Sequence, residues 1–175
     1  MTVKTIESTP YIDLCELYDE DNNINGYYFV HEKRCNGQII CILPYCIHEM
    51  NIMYLLRYEK TPCWSTTENQ ISSITGGAES EKLIDDVQRE LEEEAGYSVN
   101  ENNFVYLGES FSAKSADTKI YYYTCCLNLH QRFEAEGDGS SLEKEAYCYW
   151  SYDVIHAVDP LVFTAYCKLH SYLNQ

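Results

Sequence analysis

The alternation of apolar and polar positions divides the chain into short extended runs and two amphipathic helices. β-Branched and aromatic residues are concentrated at 11–18 and 26–34, and turn formers fill 19–25 between them, which predicts a hairpin. Residues 38–45 (QIICILPY) and 51–59 (NIMYLLRYE) are strongly apolar with polar or proline borders, as in core strands. A short run at 71–75 leads into Gly76 and Gly77, a pair expected to turn the backbone through conformations closed to other residues.

A helix is predicted next. Leu83, Val87 and Leu91 recur every four residues beside Ile84 and Ala95, the opposite face is acidic, and Gly96 occupies the C-cap position. Residues 103–108 and 119–129 read as strands, the second carrying the continuous YYYTCCL of a sheet interior. An acidic polar loop at 134–145 precedes the strand-like AYCYW. Asp159 and Pro160 then supply an N-cap and first-turn proline for a last helix, whose buried stripe is expected to be Val162, Tyr166, Leu169 and Leu173. There is no internal repeat or low-complexity linker, so residues 1–175 are read as one domain. The order, β-rich, helix, β-rich, helix, predicts an α+β fold in which a mixed sheet lies between helices, an α/β/α sandwich.

A hydrophobic share of 45% over 175 residues suits one packed domain. The nine cysteines are odd in number and lack zinc-ligand spacing, and the N-terminal MTVKTIESTP lacks the apolar core of a signal peptide. Reduced thiols, mostly acting as small buried hydrophobes, and a cytoplasmic location are expected. No run approaches the roughly 18 to 20 apolar residues of a membrane span, so no membrane partner is expected. The net charge of −16, from 28 acidic and 12 basic residues, disfavours long nucleic acid. It leaves room for a small phosphorylated substrate, because a carboxylate-bound divalent cation reverses the local field.

The chemistry concentrates in RELEEEAGY, residues 89–97. Glu90, Glu93 and Glu94 stand at i, i+3 and i+4 on one helix face, where like charges cost a few tenths of a kcal/mol per pair. Read alone, the run is a solvated acidic face. A hard cation offers the other reading, since Mg2+ (or Mn2+) is held by one or two carboxylates together with water and phosphate oxygens.

The wider pattern resembles the signature of the Nudix hydrolase family. Seven residues separate Glu81 from Arg89, and Glu90, Leu91, Glu93, Glu94, Gly96 and Tyr97 fill the positions that follow. One departure stands out. The family places five residues between its glycine and first glutamate, whereas only Ala78, Glu79 and Ser80 lie between Gly77 and Glu81. The resemblance implies a Nudix fold with extra N-terminal strands (1–37), a metal site of Glu90, Glu93, Glu94 and the Gly77 carbonyl, and a loop-holding ion pair between Glu81 and Arg89. Asp86, one turn earlier on the same face, reads as an ordinary exposed aspartate. The implied reaction is metal-dependent hydrolysis of the pyrophosphate of a nucleoside diphosphate joined to another group. Glu93 is the catalytic carboxylate of the signature, and Glu143 and Glu145 are the favoured general bases in the acidic loop, where Glu134 and Glu136 also lie.

The flanking strands, YLLRYEKTPCW and the terminal helix resemble the ADP-ribose and nucleotide-sugar branch, although SITGG stands where that branch has proline-alanine-glycine. That likeness implies a homodimer formed through the N-terminal strands. It also implies a small nucleotide substrate whose base stacks on Trp64, Tyr58 or Phe111 and whose phosphates meet Arg57 or Lys60. The alternatives are a dinucleotide cofactor, a dinucleoside polyphosphate, a capped RNA end, or a nucleotide-binding sensor without catalysis.

Overall fold

The computed structural model describes residues 1–65, 67–129, 135 and 145–175. Strands β1 (Thr2–Ser8), β2 (Ile12–Asp19) and β3 (Ile24–Glu32) form an antiparallel sheet in the order β1-β2-β3. The expected hairpin is thus β2–β3, and β1 adds an outer edge, exposed at every residue. Next come β4 (Gln38–Ile42), β5 (Tyr45–His48), β6 (Asn51–Glu59), β7 (Gln70–Ser72) and β8 (Ile74–Gly77), then helix α1 (Leu83–Ala95). Strands β9 (Phe104–Phe111), β10 (Lys119–Cys125) and β11 (Tyr147–Ser151) and helix α2 (Pro160–Leu173) complete the chain. One sheet runs β8-β4-β10-β9, with β4 and β10 parallel and the other neighbours antiparallel. A second runs β11-β6-β5, with β7 also pairing with β6.

The stretch 38–45, expected as one strand, is two. Pro44 lacks the N–H a ladder needs, so β4 stops and the chain changes sheets: Leu43 still donates to the Tyr123 carbonyl at 3.0 Å, whereas the Pro44 carbonyl accepts from Leu55 at 2.9 Å. The strand expected over 119–129 likewise ends at Cys125, with Cys126 making only an isolated bridge to Tyr45.

Alternation along the strands separates two cores. Ile40, Ile42, Leu55, Tyr123 and Cys125 pack with Val87, Leu91 and Ala95 of α1, whereas Cys41, Leu43, Tyr54, Leu56, Ile120 and Tyr122 pack with Val162, Ala165 and Leu169 of α2. Each central strand therefore feeds both helices, which is the expected mixed-sheet sandwich. Gly96 ends α1 in the left-handed conformation at φ 69°, as its position predicts. The stripe of α2 differs from expectation at its end: Leu173 is exposed and Tyr166 only half-buried, while Ala165 is buried.

None of the nine cysteines is disulfide-bonded, and Cys15, Cys41, Cys46, Cys125 and Cys148 are buried. Among the described residues no helix is long and apolar enough to cross a membrane.

Candidate functional site

Burial of Val87, Leu91 and Ala95 fixes the rotation of α1 and turns Glu90, Glu93 and Glu94 toward a cleft of about 680 Å³ beside β8. Gly76 and Gly77 both lie in β8, and neither has a positive φ. The expected turn is absent, and the glycines serve close approach instead. A β-carbon on Gly76 would fall on the Glu90 carboxylate, and one on Gly77 on the Cys35 sulfur.

Arg89 is the hub of the carboxylates. Its Nη1 lies 2.7 Å from Glu90 and 3.2 Å from Glu93, while Nη2 lies 3.4 Å from Asp86 and donates to the Gly77 carbonyl at 3.4 Å. Burial pushes the Glu90 carboxyl above its ordinary value, and the Arg89 guanidinium opposes it.

The expected Glu81–Arg89 pair is not formed, and Glu81 is exposed. Asp86 is not the exposed aspartate that was expected either, being only 1% exposed. Its Oδ2 accepts from the backbone N–H of Glu79 and Ser80 at 3.0 and 2.9 Å, and its Oδ1 accepts from the Ser80 hydroxyl at 2.9 Å. Asp86 thus ties the shortened loop to α1. Its place three residues before Arg89 was the available signal.

Glu94 is held from behind. Arg57, 4% exposed, places Nη1 at 2.8 Å from Glu94 and donates from Nε to Glu59 at 2.7 Å. The second Glu59 oxygen accepts from Ser72 at 2.8 Å. Arg57 is therefore an orienting group for Glu94 rather than an exposed phosphate contact. Charge in a core strand has to be paired, and the same-face Glu59 two residues on was the clue.

Arg34 and Cys35, which sequence reasoning missed, also line the cleft. Cys35, Asn36 and Gly37 have successive φ values of 51°, 49° and 67°. Left-handed non-glycine residues carry a strain of about 1 to 3 kcal/mol each and cluster where surroundings over-determine the backbone; the Asn-Gly dipeptide was the sequence signal. Among the described residues five carboxylates (Glu32, Glu79, Glu90, Glu93, Glu94) face the cleft with two guanidinium groups (Arg34, Arg89), alongside Ile39, Ile120 and Leu161.

The remaining candidates lie elsewhere. Lys60 and the half-exposed Trp64 follow β6, and Tyr58 stacks against Tyr147 at 5.4 Å, none of them among the residues lining the cleft. Phe111 is 65% exposed and lines a separate apolar groove against β1–β3. Glu145 is exposed, its carbonyl accepting from Asn69 at 3.3 Å. Glu134, Glu136 and Glu143 lie outside the described residues. Among the described residues no three His, Cys, Asp or Glu side chains form a ready-made metal cage, the signature carboxylates being turned onto Arg89 and Arg57.

The chain superposes on a crystal structure described as an ADP compounds hydrolase with a TM-score of 0.67, covering 99% of this chain and 92% of that one at 13% identity. The fold is Nudix-like. No protein-family profile matches the chain, and no curated protein matches its sequence. At that identity the likeness defines architecture, and the chemistry has to be argued from the cleft.

Proposed function

We propose that the protein is a metal-dependent hydrolase of the pyrophosphate link in a nucleoside diphosphate joined to another group, with ADP-ribose or a nucleotide sugar as the substrate class. One observation carries the reading: Glu90 and Glu93 converge on a single guanidinium nitrogen, at 2.7 and 3.2 Å, within a cleft lined, among the described residues, by five carboxylates and two arginines. Two carboxylates that already meet at one point of positive charge are a suitable donor set for Mg2+ or Mn2+. A diphosphate entering so acidic a cleft needs further cations to offset repulsion.

In this reading Glu90, Glu93, Glu94 and the Gly77 carbonyl hold the metal, which supplies Lewis acidity and acidifies bound water. Arg57 sets the direction of Glu94. Glu93, with its side chain 43% exposed, is the signature carboxylate best able to reach a water in the cleft. The base that takes the proton of that water is proposed to come from the acidic loop at 134–145, with Glu143, outside the described residues, as the candidate and Glu145 away from the described cleft lining. Support for the substrate class comes from the fold shared with an ADP compounds hydrolase. A cytoplasmic homodimer completes the proposal; the exposed Val3, Ile12, Leu14 and Tyr27 of the N-terminal sheet support it.

A second reading is a nucleotide-binding sensor without catalysis, supported by the engagement of the signature carboxylates with Arg89 and Arg57. Hydrolysis of a panel of ADP-ribose, nucleotide sugars, reduced dinucleotides and dinucleoside polyphosphates, with Mg2+ or with chelator, separates the two. Cleavage that needs metal and vanishes in Glu94→Gln supports the hydrolase. Metal-dependent nucleotide binding with no turnover of any substrate selects the sensor.

A further inference from the structure

Among the described residues two arginines face the cleft, and they are engaged very differently. Arg89 is surrounded by Asp86, Glu90 and Glu93. Arg34 lines the same cleft from the turn after β3, with 69% of its side chain exposed. Its Nε and Nη2 both donate to one oxygen of Glu32, at 3.1 and 2.8 Å, and its Nη1 has no partner among the described residues. An ion pair this exposed contributes little, because water screens it, so Glu32 parks the guanidinium without committing it.

The backbone beneath Arg34 is fixed. Cys35, Asn36 and Gly37 form a run of left-handed residues, and the Cys35 sulfur packs where Gly77 has no side chain. A β-carbon at Gly37 would sit 3.7 Å from the Asp117 carboxylate and from Thr118, next to the first residue of β10. Arg34 therefore projects from a turn clamped between β8 and β10, where an arginine loses less freedom on binding than it would from a loose loop.

We infer that Arg34 is a substrate-phosphate contact of this cleft: its planar fork takes a phosphate oxygen of a nucleoside diphosphate in the cleft that Glu90 and Glu93 also line, and Glu32 holds it in place until the anion arrives. The inference rests on the proposed reading in that the anion is a nucleoside diphosphate, but it concerns binding and does not require turnover. It also replaces Arg57 and Lys60 in the role expected of them from sequence. Guanidinium forks match phosphate geometry, which an ammonium does not.

The test is equilibrium binding of ADP with Mg2+, measured by calorimetry on the full chain, with ADP-ribose hydrolysis followed in parallel. Arg34→Ala is expected to weaken ADP binding by about tenfold to a hundredfold, the ratio for a charge-assisted contact. Arg34→Lys is expected to fall between it and the parent, and Glu32→Gln, which frees the fork, to bind at least as tightly as the parent. Arg34 is exposed, and unchanged melting temperatures establish that the variants are folded. Arg34→Ala binding ADP like the parent overturns the inference, as does a parent that binds no ADP. If binding depends on Arg34 but no substrate is cleaved, the inference stands and the hydrolase reading falls.

Discussion

Removing the Asp86 carboxylate tests whether the shortened loop is anchored from inside the helix. In the native chain it accepts three hydrogen bonds from residues 79 and 80, at 2.9 to 3.0 Å, and lies 3.4 Å from Arg89. Hydrogen bonds to a charged group contribute about 1.5 to 3 kcal/mol each when buried; because water can reach the loop N–H groups once the carboxylate is gone, the full sum is not lost. Asp86→Ala is therefore expected to cost about 3 to 4 kcal/mol, a large part of the roughly 5 to 15 kcal/mol typical of a domain. Asp86→Asn keeps one acceptor but turns an amide toward Arg89, and is expected to cost about 1 to 2 kcal/mol. Glu81→Ala, at an exposed position, is expected to stay within about 0.5 kcal/mol. Urea denaturation at neutral pH measures all three. Burial pushes the Asp86 carboxyl upward, but hydrogen bonds from Ser80, Arg89 and Glu79 outweigh it and hold it below the ordinary aspartate value. Its contribution is then fully present above the unfolded value of about 3.9 and is lost as pH falls through the lower folded value, so the gap between parent and Asp86→Ala narrows only below about pH 4. A Glu81→Ala cost matching that of Asp86→Ala would refute the reasoning, because it would restore the ion pair expected from the signature.

Gly76→Ala forces a methyl into the Glu90 carboxylate and is expected to destabilise by about 1 to 3 kcal/mol; combining it with Glu90→Ala should cost less than the sum, a coupling readable in a double-mutant cycle. Arg57→Ala removes the guanidinium that sits between Glu59 and Glu94 and is expected to cost about 3 to 5 kcal/mol in urea denaturation, whereas a raised KM with unchanged stability would return it to substrate binding. Asp159→Ala unpairs Ser73 and the α2 N-cap, where the carboxylate accepts from Leu161 at 2.8 Å; a fall in stability of about 2 to 4 kcal/mol by thermal denaturation is expected.

Where both faces of a strand are buried, the chain spelled out its structure in continuous apolar runs, so β4, β6 and β10 were legible within a few residues. The breaks at Pro44 and Cys125 were less so, because an apolar residue reads alike in either of two sheets and only hydrogen bonding decides. The signature carboxylates were legible as a helical face. Their partners were not, since Arg57 and Asp86 look on paper like ordinary surface charges, and tertiary packing alone puts them at 4% and 1% exposure. Arg34 reads as the end of the strand-like run 26–34, whereas β3 stops at Glu32 and Arg34 belongs to the irregular turn that follows, where neither the helical nor the strand repeat applies.

The two residues missing between Gly77 and Glu81 bear on the loop and leave the acidic face in place. Glu90, Glu93 and Glu94 are oriented by the packing of Val87, Leu91 and Ala95 against β4, β6 and β8, contacts that loop length does not enter. A loop shorter by two residues gives up roughly 7 Å of contour, and an anchor at its own end, such as Glu81, loses the slack needed to fold back on Arg89. An acceptor in the first turn of α1 needs no slack: Asp86 lies about one helical turn, 5.4 Å, before Glu90 and meets the backbone of Glu79 and Ser80 directly. The compensation keeps Arg89 against the Gly77 carbonyl at 3.4 Å. What the shortening alters is the backbone between 78 and 82, so its consequences belong to the carbonyl donors and the approach of the substrate, while the carboxylates are left as the helix sets them.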